Sequence, residues 1–310
     1  MTVRPSQPAP FRYRRLGYLE FRVTDPGKTA AFLTEIIGLD EQAGLDPGAR
    51  YFRSGPYHHD VVIRQGSPAA FVRSSWELET DADLDAAFGH YARLGLGPRW
   101  LTREEADAGS VERAFRIVDP VVGCSWEYYV RMTYISVPLR AGLPRFQGGK
   151  HFALSLADPK AMNDFMVENM GFLVSDYVEG WLGSLLRAFP HPDHHTFGAL
   201  PAGPIPPGFH HYAFRVEGID DIGQLINRAK RHDVAPQFGI GRHPTSGSIH
   251  FYVYCPDWFI WEYTMGMEQF PEIGAREARR MPAAPEDYDL WQAVPDRVHA
   301  AKRPPCVSFL

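Results

Sequence analysis

The chain repeats itself, and that limits the folds open to it more than any other feature. The run from Tyr18, YLEFRVTDPGKTAAFLTEIIGL, aligns without a gap on the run from His151, HFALSLADPKAMNDFMVENMGF. Asp25-Pro26 falls on Asp158-Pro159 and Gly38 on Gly171. A match of that length is a structural repeat rather than an accident of composition. A second pair follows: WELETDADLDAAFGHYARLGLGP, opening at Trp76, against HYAFRVEGIDDIGQLINRAKRHDVAP, opening at His211. Each run reads as a strand, a turn and a helix. In the first, apolar and polar side chains alternate over 16–24, Asp25-Pro26 turns the chain, apolar residues recur at helical spacing over 28–37, and Gly38 stops the helix.

Further strands are expected around 51–52 and 59–62, over 114–118 and 125–130, and then, in the same order, near 172–179, 195–200, 249–254 and 259–264. The spacing predicts four βαβββ units, an α+β arrangement without the alternation of strand and long crossover helix that a doubly wound sheet needs. Two units side by side curl into a half-closed barrel, so the expected architecture is two tandem barrels. The Pro- and Gly-rich PLRAGLPRFQGG is the expected linker. This divides the chain into an N-terminal domain, 1–140, a C-terminal domain, 141–290, and a tail, 291–310; the whole segment from Met267 on departs from the repeat and is expected to be an extended arm with one short helix, packed on the first domain or on another subunit. A chain of 310 residues, 45% hydrophobic, is long enough for two buried cores.

Charge and cysteine usage exclude several classes of function. A net charge of −5 with both signs dispersed argues against nucleic acid as a partner. No apolar run is long enough to span a membrane, and MTVRPSQPAPFRYRR lacks the apolar stretch of an export signal, so a cytoplasmic location is expected. Cys124, Cys255 and Cys306 are too scattered for a disulfide framework or a thiolate cluster, and free thiols are expected.

The repeat also aligns chemistry. His151 and His211 open strands of paired units and so enter a shared cavity at equivalent points, while the last strand brings in Glu262. Strand alternation sends His210 to the opposite face from His211. A lone histidine in a strand is ordinarily a partly buried polar residue. Two in register with a carboxylate form a 2-His-1-carboxylate set, which holds a metal ion without filling its coordination sphere. The corresponding N-terminal positions are expected to be Tyr18, Trp76 and Glu127, the first two ordinary packing aromatics, so that half cannot bind metal in this way.

Over residues 13–290, and most specifically in RHPTSGSIHFYVYCPDWFIWEY, the chain resembles the type I extradiol catechol dioxygenases of the vicinal oxygen chelate superfamily. The family's Arg-His pair, followed at fixed spacings by a Tyr and the Glu ligand, is matched by His243, Tyr252 and Glu262. The resemblance implies tandem vicinal-oxygen-chelate domains, with metal ligands at His151 and His211 and a cavity acid-base histidine at His195 of DHHTFGA, for which the plainer reading is a surface histidine in a polar loop. It implies that His243 and Tyr252 hydrogen-bond the substrate oxygens. It further implies Fe(II), with Mn(II) as the other metal that suits these ligands, dioxygen as co-substrate, a small aromatic diol as substrate, a muconic-semialdehyde-type product and a homo-oligomer. Two departures bear on the substrate: Phe197-Gly198 replaces an aliphatic residue and Ala, and Trp258 and Trp261 replace small or polar residues. Leu182, Leu185 and Leu186, read as a short helical segment, and Trp258 or Phe259 either wall an aromatic pocket or belong to the core. The expected substrate is at least as large as a methylcatechol, up to bicyclic. The alternatives are a non-catalytic small-molecule binder of the same fold and a hydroxyphenylpyruvate-type dioxygenase. A glyoxalase-like isomerase or an epoxide-opening resistance enzyme would need a fourth protein ligand in the third unit, and no carboxylate lies between His195 and Leu200 to supply it.

Overall fold

A computed structural model describes residues 2–284, 288–296 and 298–307. The first unit contains β1 (Tyr13–Val23), α1 (Pro26–Ala31), which continues into a π-helical turn, β2 (Asp40–Gln42), β3 (Ala49–Arg53) and β4 (Val61–Gln65). The second contains β5 (Ala70–Leu78), α2 (Asp81–Arg93), β6 (Arg99–Trp100), α3 (Arg103–Ala108), β7 (Val111–Val118) and β8 (Ser125–Met132). The third contains β9 (Phe146–Leu156), α4 (Pro159–Asn169), β10 (Phe172–Val178), β11 (Ser184–Ala188) and β12 (Phe197–Pro201). The fourth contains β13 (Gly208–Val216), α5 (Ile219–Arg231), β14 (Pro236–Arg242), β15 (Ile249–Tyr254) and β16 (Ile260–Met265). A short tail strand, β17 (Arg279–Met281), follows.

Local chemistry explains why the repeated runs fold alike. Asp25 and Asp158 each cap a helix, accepting from the backbone N–H of Lys28 and Ala161, and the following proline occupies the first turn, where no N–H is needed. Gly38 and Gly171 then close the two segments at φ +76° and +72°, a region that side chains with a Cβ avoid. The result is four βαβββ units in two sheets, ordered β2-β3-β4-β1-β5-β8-β7-β6 and β14-β15-β16-β13-β9-β12-β11-β10-β17. In each sheet two units meet through an antiparallel central pair, β1 with β5 and β9 with β13. Each unit's last strand returns parallel to its first.

Alternation splits the side chains of each sheet into two sets. One face of both sheets and the helices share a single core, in which Tyr13 and Trp76 of the first half pack edge-on against Phe172 of the second, with ring centroids 5.3 and 5.2 Å apart. The other face forms separate clusters. One lies inside the N-terminal arc around Tyr18, Tyr51 and Tyr129, and one inside the C-terminal arc around Tyr252, Tyr254 and Ile260.

Three sequence readings need correction. The segment of Leu185 and Leu186 is the strand β11, not a helix; Gly180 and Gly183, both at positive φ, form the bend that turns β10 into it. Residues 146–149 of the expected linker already belong to β9. The second repeat runs three residues away from the expected register. Ser75 lies level with Tyr18 and Glu127 as Ala213 lies level with His151 and Glu262, and α2 and α5 begin at Asp81 and Ile219, each eight residues after Arg73 and His211. The position equivalent to His211 is therefore Arg73. Trp76 points the other way, into the shared core, stacked on Trp126.

The tail returns over the body. Its backbone bridges Phe71 to Cys306 and Phe238 to Pro295, and Asp289 accepts from His250 at 2.8 Å. Residues 285–287, 297 and 308–310 of the tail lie outside the described residues.

Candidate metal centre

Three adjacent strands, β9, β13 and β16, each contribute one residue to a single point on the C-terminal concave face. Ala213 of β13 sits opposite His151 and beside Glu262, and its neighbour two residues back, His211, shares its face. One donor atom of each residue falls within 4.8 Å of the other two. Nε2 of His151 and Nε2 of His211 lie 3.0 and 3.4 Å from Oε2 of Glu262. All three side chains are buried, Glu262 to 1% exposure.

The set is incomplete by its own chemistry. Neither carboxylate oxygen of Glu262, nor Nε2 of His211, finds a hydrogen-bond partner among the described residues. A buried carboxylate with no donor and no cation costs several kcal/mol. Burial, then the neighbouring His210 and His151, holds His211 well below the usual imidazole pKa, so it presents a lone pair rather than a proton. Two neutral imidazoles and one carboxylate converging on one point fit a divalent transition-metal ion with open positions.

The neighbouring histidine fixes the ring. His210 Nδ1 meets His211 Nδ1 at 2.7 Å, which leaves Nε2 as the coordinating atom. The same device recurs at His195, whose Nδ1 meets His194 Nδ1 at 3.1 Å; His194 is anchored in turn by Asp176 at 2.9 Å. His195 is buried, with its ring 4.2 Å from that of His151, so the reading of a surface loop histidine fails. Burial, followed by the field of His151, lowers its pKa well below the ordinary value.

On the far side, Tyr252 sits opposite Glu262 on the neighbouring strand, its ring 5.2 Å from His211, and its hydroxyl meets His243 Nε2 at 2.9 Å. Burial, then Glu262, pushes the Tyr252 phenol well above its usual range; burial, then His250, takes His243 down to about 3. The structure thus brings together all six residues singled out in the sequence. It adds His250, stacked on His243 at 4.0 Å and held by Asp289. Alternation from Tyr252 places His250 on the same face and was a readable signal; nothing local in the tail marks Asp289.

The apolar wall differs from the expected one. Phe259 belongs to the shared core, Leu186 likewise, and Leu182 is exposed. Ile260, Tyr254, Phe238 and Trp258 form the apolar cluster beside Tyr252, with Trp258 held at φ +66° and stacked on His299 of the tail. Leu185 does reach the concave face, beside Gly198.

The N-terminal sheet places a parallel arrangement at the equivalent positions. Tyr18 packs on His59 at 4.3 Å as His151 packs on His195, and His58 meets His59 through Nδ1 atoms at 2.9 Å. Glu127 is as buried as Glu262, yet its oxygens are filled: Tyr18 at 2.5 Å, Ser75 at 2.8 Å and Arg116 at 2.8 Å, with Arg73 at 3.8 Å. Burial alone would raise the Glu127 pKa, but the two guanidinium groups hold it below the usual range.

A sequence profile of the Glyoxalase/Bleomycin resistance protein/Dioxygenase superfamily matches residues 149–263, the span that carries all three converging residues. The chain is 26% identical over 272 residues to an iron-dependent extradiol dioxygenase of Rhodococcus jostii (strain RHA1), covering 81% of this chain and 88% of that one. It is 27% identical over 266 residues to a biphenyl-2,3-diol 1,2-dioxygenase of Paraburkholderia xenovorans (strain LB400), covering 81% and 87%. Among solved structures, BphC, a halotolerant catechol dioxygenase, superposes with a TM-score of 0.83 at 22% identity over 94% of this chain and 98% of that one, a likeness of fold.

Proposed function

Because the chain belongs to the type I extradiol dioxygenases of the vicinal oxygen chelate superfamily, we propose that it opens the ring of a catecholic substrate beside, rather than between, the two hydroxyls. The observation that carries this reading is the pair of partnerless carboxylate oxygens on Glu262, flanked by His151 and His211. These three residues would hold Fe(II), with Mn(II) as the alternative that the same donors suit. When bound, the ion would lower the pKa of a coordinated hydroxyl and offer dioxygen an adjacent position.

The chain's own residues then have separable tasks. His195 is neutral, buried and held through Nδ1, so Nε2 is free to take the proton of the second hydroxyl and later return it. The Tyr252 phenol stays protonated and donates to the substrate oxygen as negative charge gathers there, and His243 orients that phenol. Ile260, Tyr254 and Phe238 give the ring an apolar seat and exclude water.

The division into 1–140, 141–290 and 291–310 is supported by the contents of the two concave faces. The first is closed by its own ion pairs and serves as structure, the second is open to chemistry, and the tail packs across both. No helix among the described residues is long and apolar enough to cross a membrane. The free thiols of Cys124, Cys255 and Cys306 suit a reducing compartment, and we place the enzyme in the cytoplasm. Leu290, Trp291, Val294 and Val298, apolar and exposed on the tail, support a homo-oligomer. The test is anaerobic reconstitution with ferrous iron, then addition of a catechol and oxygen. A yellow ring-opened product is expected, and an unchanged catechol spectrum with the metal bound would overturn the reading.

A further inference from the structure

Arg187 is a buried cation that touches no carboxylate among the described residues. On β11, Leu185 and Arg187 share a face, and Leu185 pairs with Gly198, which pairs with Ala153, itself on the face of His151. Arg187 therefore lies on the concave face, two strands across from His151 and at about its level, a backbone separation of about 10 Å. Its side chain reaches Ser175 on β10, the next strand away from the metal centre, and lines a cavity of about 630 Å³ bordered by the N-terminal arm and residues 272–278.

Four arginines and two carboxylates line this cavity, and three of the arginines are paired: Arg4 with Glu277, Arg12 with Glu79 and Glu272, and Arg276 with Asp176 and Glu268. Asp83 already accepts from the Arg12 backbone and Thr80. Arg187 is 7% exposed, lies 4.1 Å over the Phe270 ring and donates to Ser175 Oγ at 2.9 Å, and among the described residues no carboxylate pairs with it. Burial, then the fields of Arg276 and Arg4, pushes its pKa down to about 10, against the smaller opposing fields of Glu268 and Asp176. Val3, Pro8, Leu173, Val174 and Phe189 supply apolar walls.

We propose that this cavity binds an organic monocarboxylate, with its carboxylate on the Arg187 guanidinium and its apolar body against Phe189 and Leu173. One unpaired cation matches one negative charge, a guanidinium fork matches a carboxylate, and the apolar walls favour an acid with a hydrocarbon body over inorganic phosphate. The carboxylate has two possible sources, a substituent on the catechol reaching across from the metal centre or a separate acid. Only the first source rests on the ring-cleavage reading.

Calorimetric titration of the metal-free full chain with 3-phenylpropionate tests the site without any turnover. Saturable binding is expected, weakened roughly thirtyfold or more in Arg187→Met and for the uncharged 3-phenylpropanamide on the unaltered protein. The amide comparison stands whether or not the variant folds. Failure of the acid to bind, or equal binding of acid and amide, would overturn the proposal. With iron loaded, a substituent source predicts that phenylpropionate raises KM for catechol without changing kcat, and that a catechol bearing a propionate chain is preferred over its methyl ester until Arg187→Met removes the preference. A separate acid predicts unchanged binding with no such preference. If no catechol is cleaved while phenylpropionate binds as described, the ring-cleavage reading fails and the anion site stands.

Discussion

Arg73 occupies in the N-terminal sheet the place that His211 occupies in the C-terminal sheet. Each lies beside a buried glutamate, Glu127 or Glu262, but one brings its own positive charge and the other brings a lone pair. A duplicated scaffold thus solves the problem of a buried carboxylate in two ways: with guanidinium groups in the first sheet, and with a donor set that fits a metal ion in the second.

Changing His151 or His211 to Ala, or Glu262 to Gln, is expected to abolish metal retention while leaving the fold intact. Metal analysis of the purified variants, beside their circular dichroism, decides this; full metal content in any of the three would remove that residue from the ligand set.

His195→Gln is expected to keep its metal and lose turnover by about 10²–10⁴-fold, the usual worth of a positioned acid-base group. Single-turnover kinetics on the metal-replete variant measure it. A loss confined to KM would mean that His195 only seats the substrate.

Tyr252→Phe and His243→Asn are expected to slow turnover by unequal amounts, the phenol costing about 10²-fold or more as a direct donor. Because the two groups share one hydrogen bond at 2.9 Å, the double variant should fall short of the product of the single effects. Strict multiplicativity in the double-mutant cycle would show that they act separately.

Acid should destabilise the metal-free protein through its buried neutral imidazoles. His243 titrates at about 3 when folded against an ordinary 6.5. Between those values the unfolded chain holds the extra proton, so this contribution to stability is complete above pH 6.5 and is lost as pH falls toward 3. Melting temperatures at pH 7.5 and 5 should therefore drop, and drop less in His243→Asn. Identical pH dependence in the two proteins would refute the assignment.

Glu127→Gln should cost about 3–5 kcal/mol by leaving Arg116 without its nearest anion, while Arg73 keeps Glu20 at 2.8 Å, and should leave metal content untouched. Urea unfolding monitored beside metal analysis separates the two effects.

The legible part of this molecule was its periodicity. The first repeat runs without a gap through two Asp-Pro caps and two glycines, so its register, and with it His151, followed directly. Glu262 and His211 were legible as strand residues, although they lie inside β16 and β13 rather than at the strand ends where the pattern put them. The second repeat has no such punctuation: Thr80 caps α2 by its side chain, whereas α5 starts at Gly218, and that mismatch let Trp76 stand where Arg73 belongs. The short strand β11 reads like a helical turn because Leu182, Leu185 and Leu186 share helical spacing, and only pairing with β10 and β12 settles it. Contacts made at long range from the tail, such as Asp289 to His250, leave no periodic trace.

Because Tyr13 and Trp76 are set against Phe172 in one continuous interior, the two halves cannot be dissected at the connecting segment. A catalytic fragment cut there would present bare aromatic rings to water and aggregate. The N-terminal half thus supplies part of the interior on which the metal-site half is built, and its bulk is needed whatever else it does.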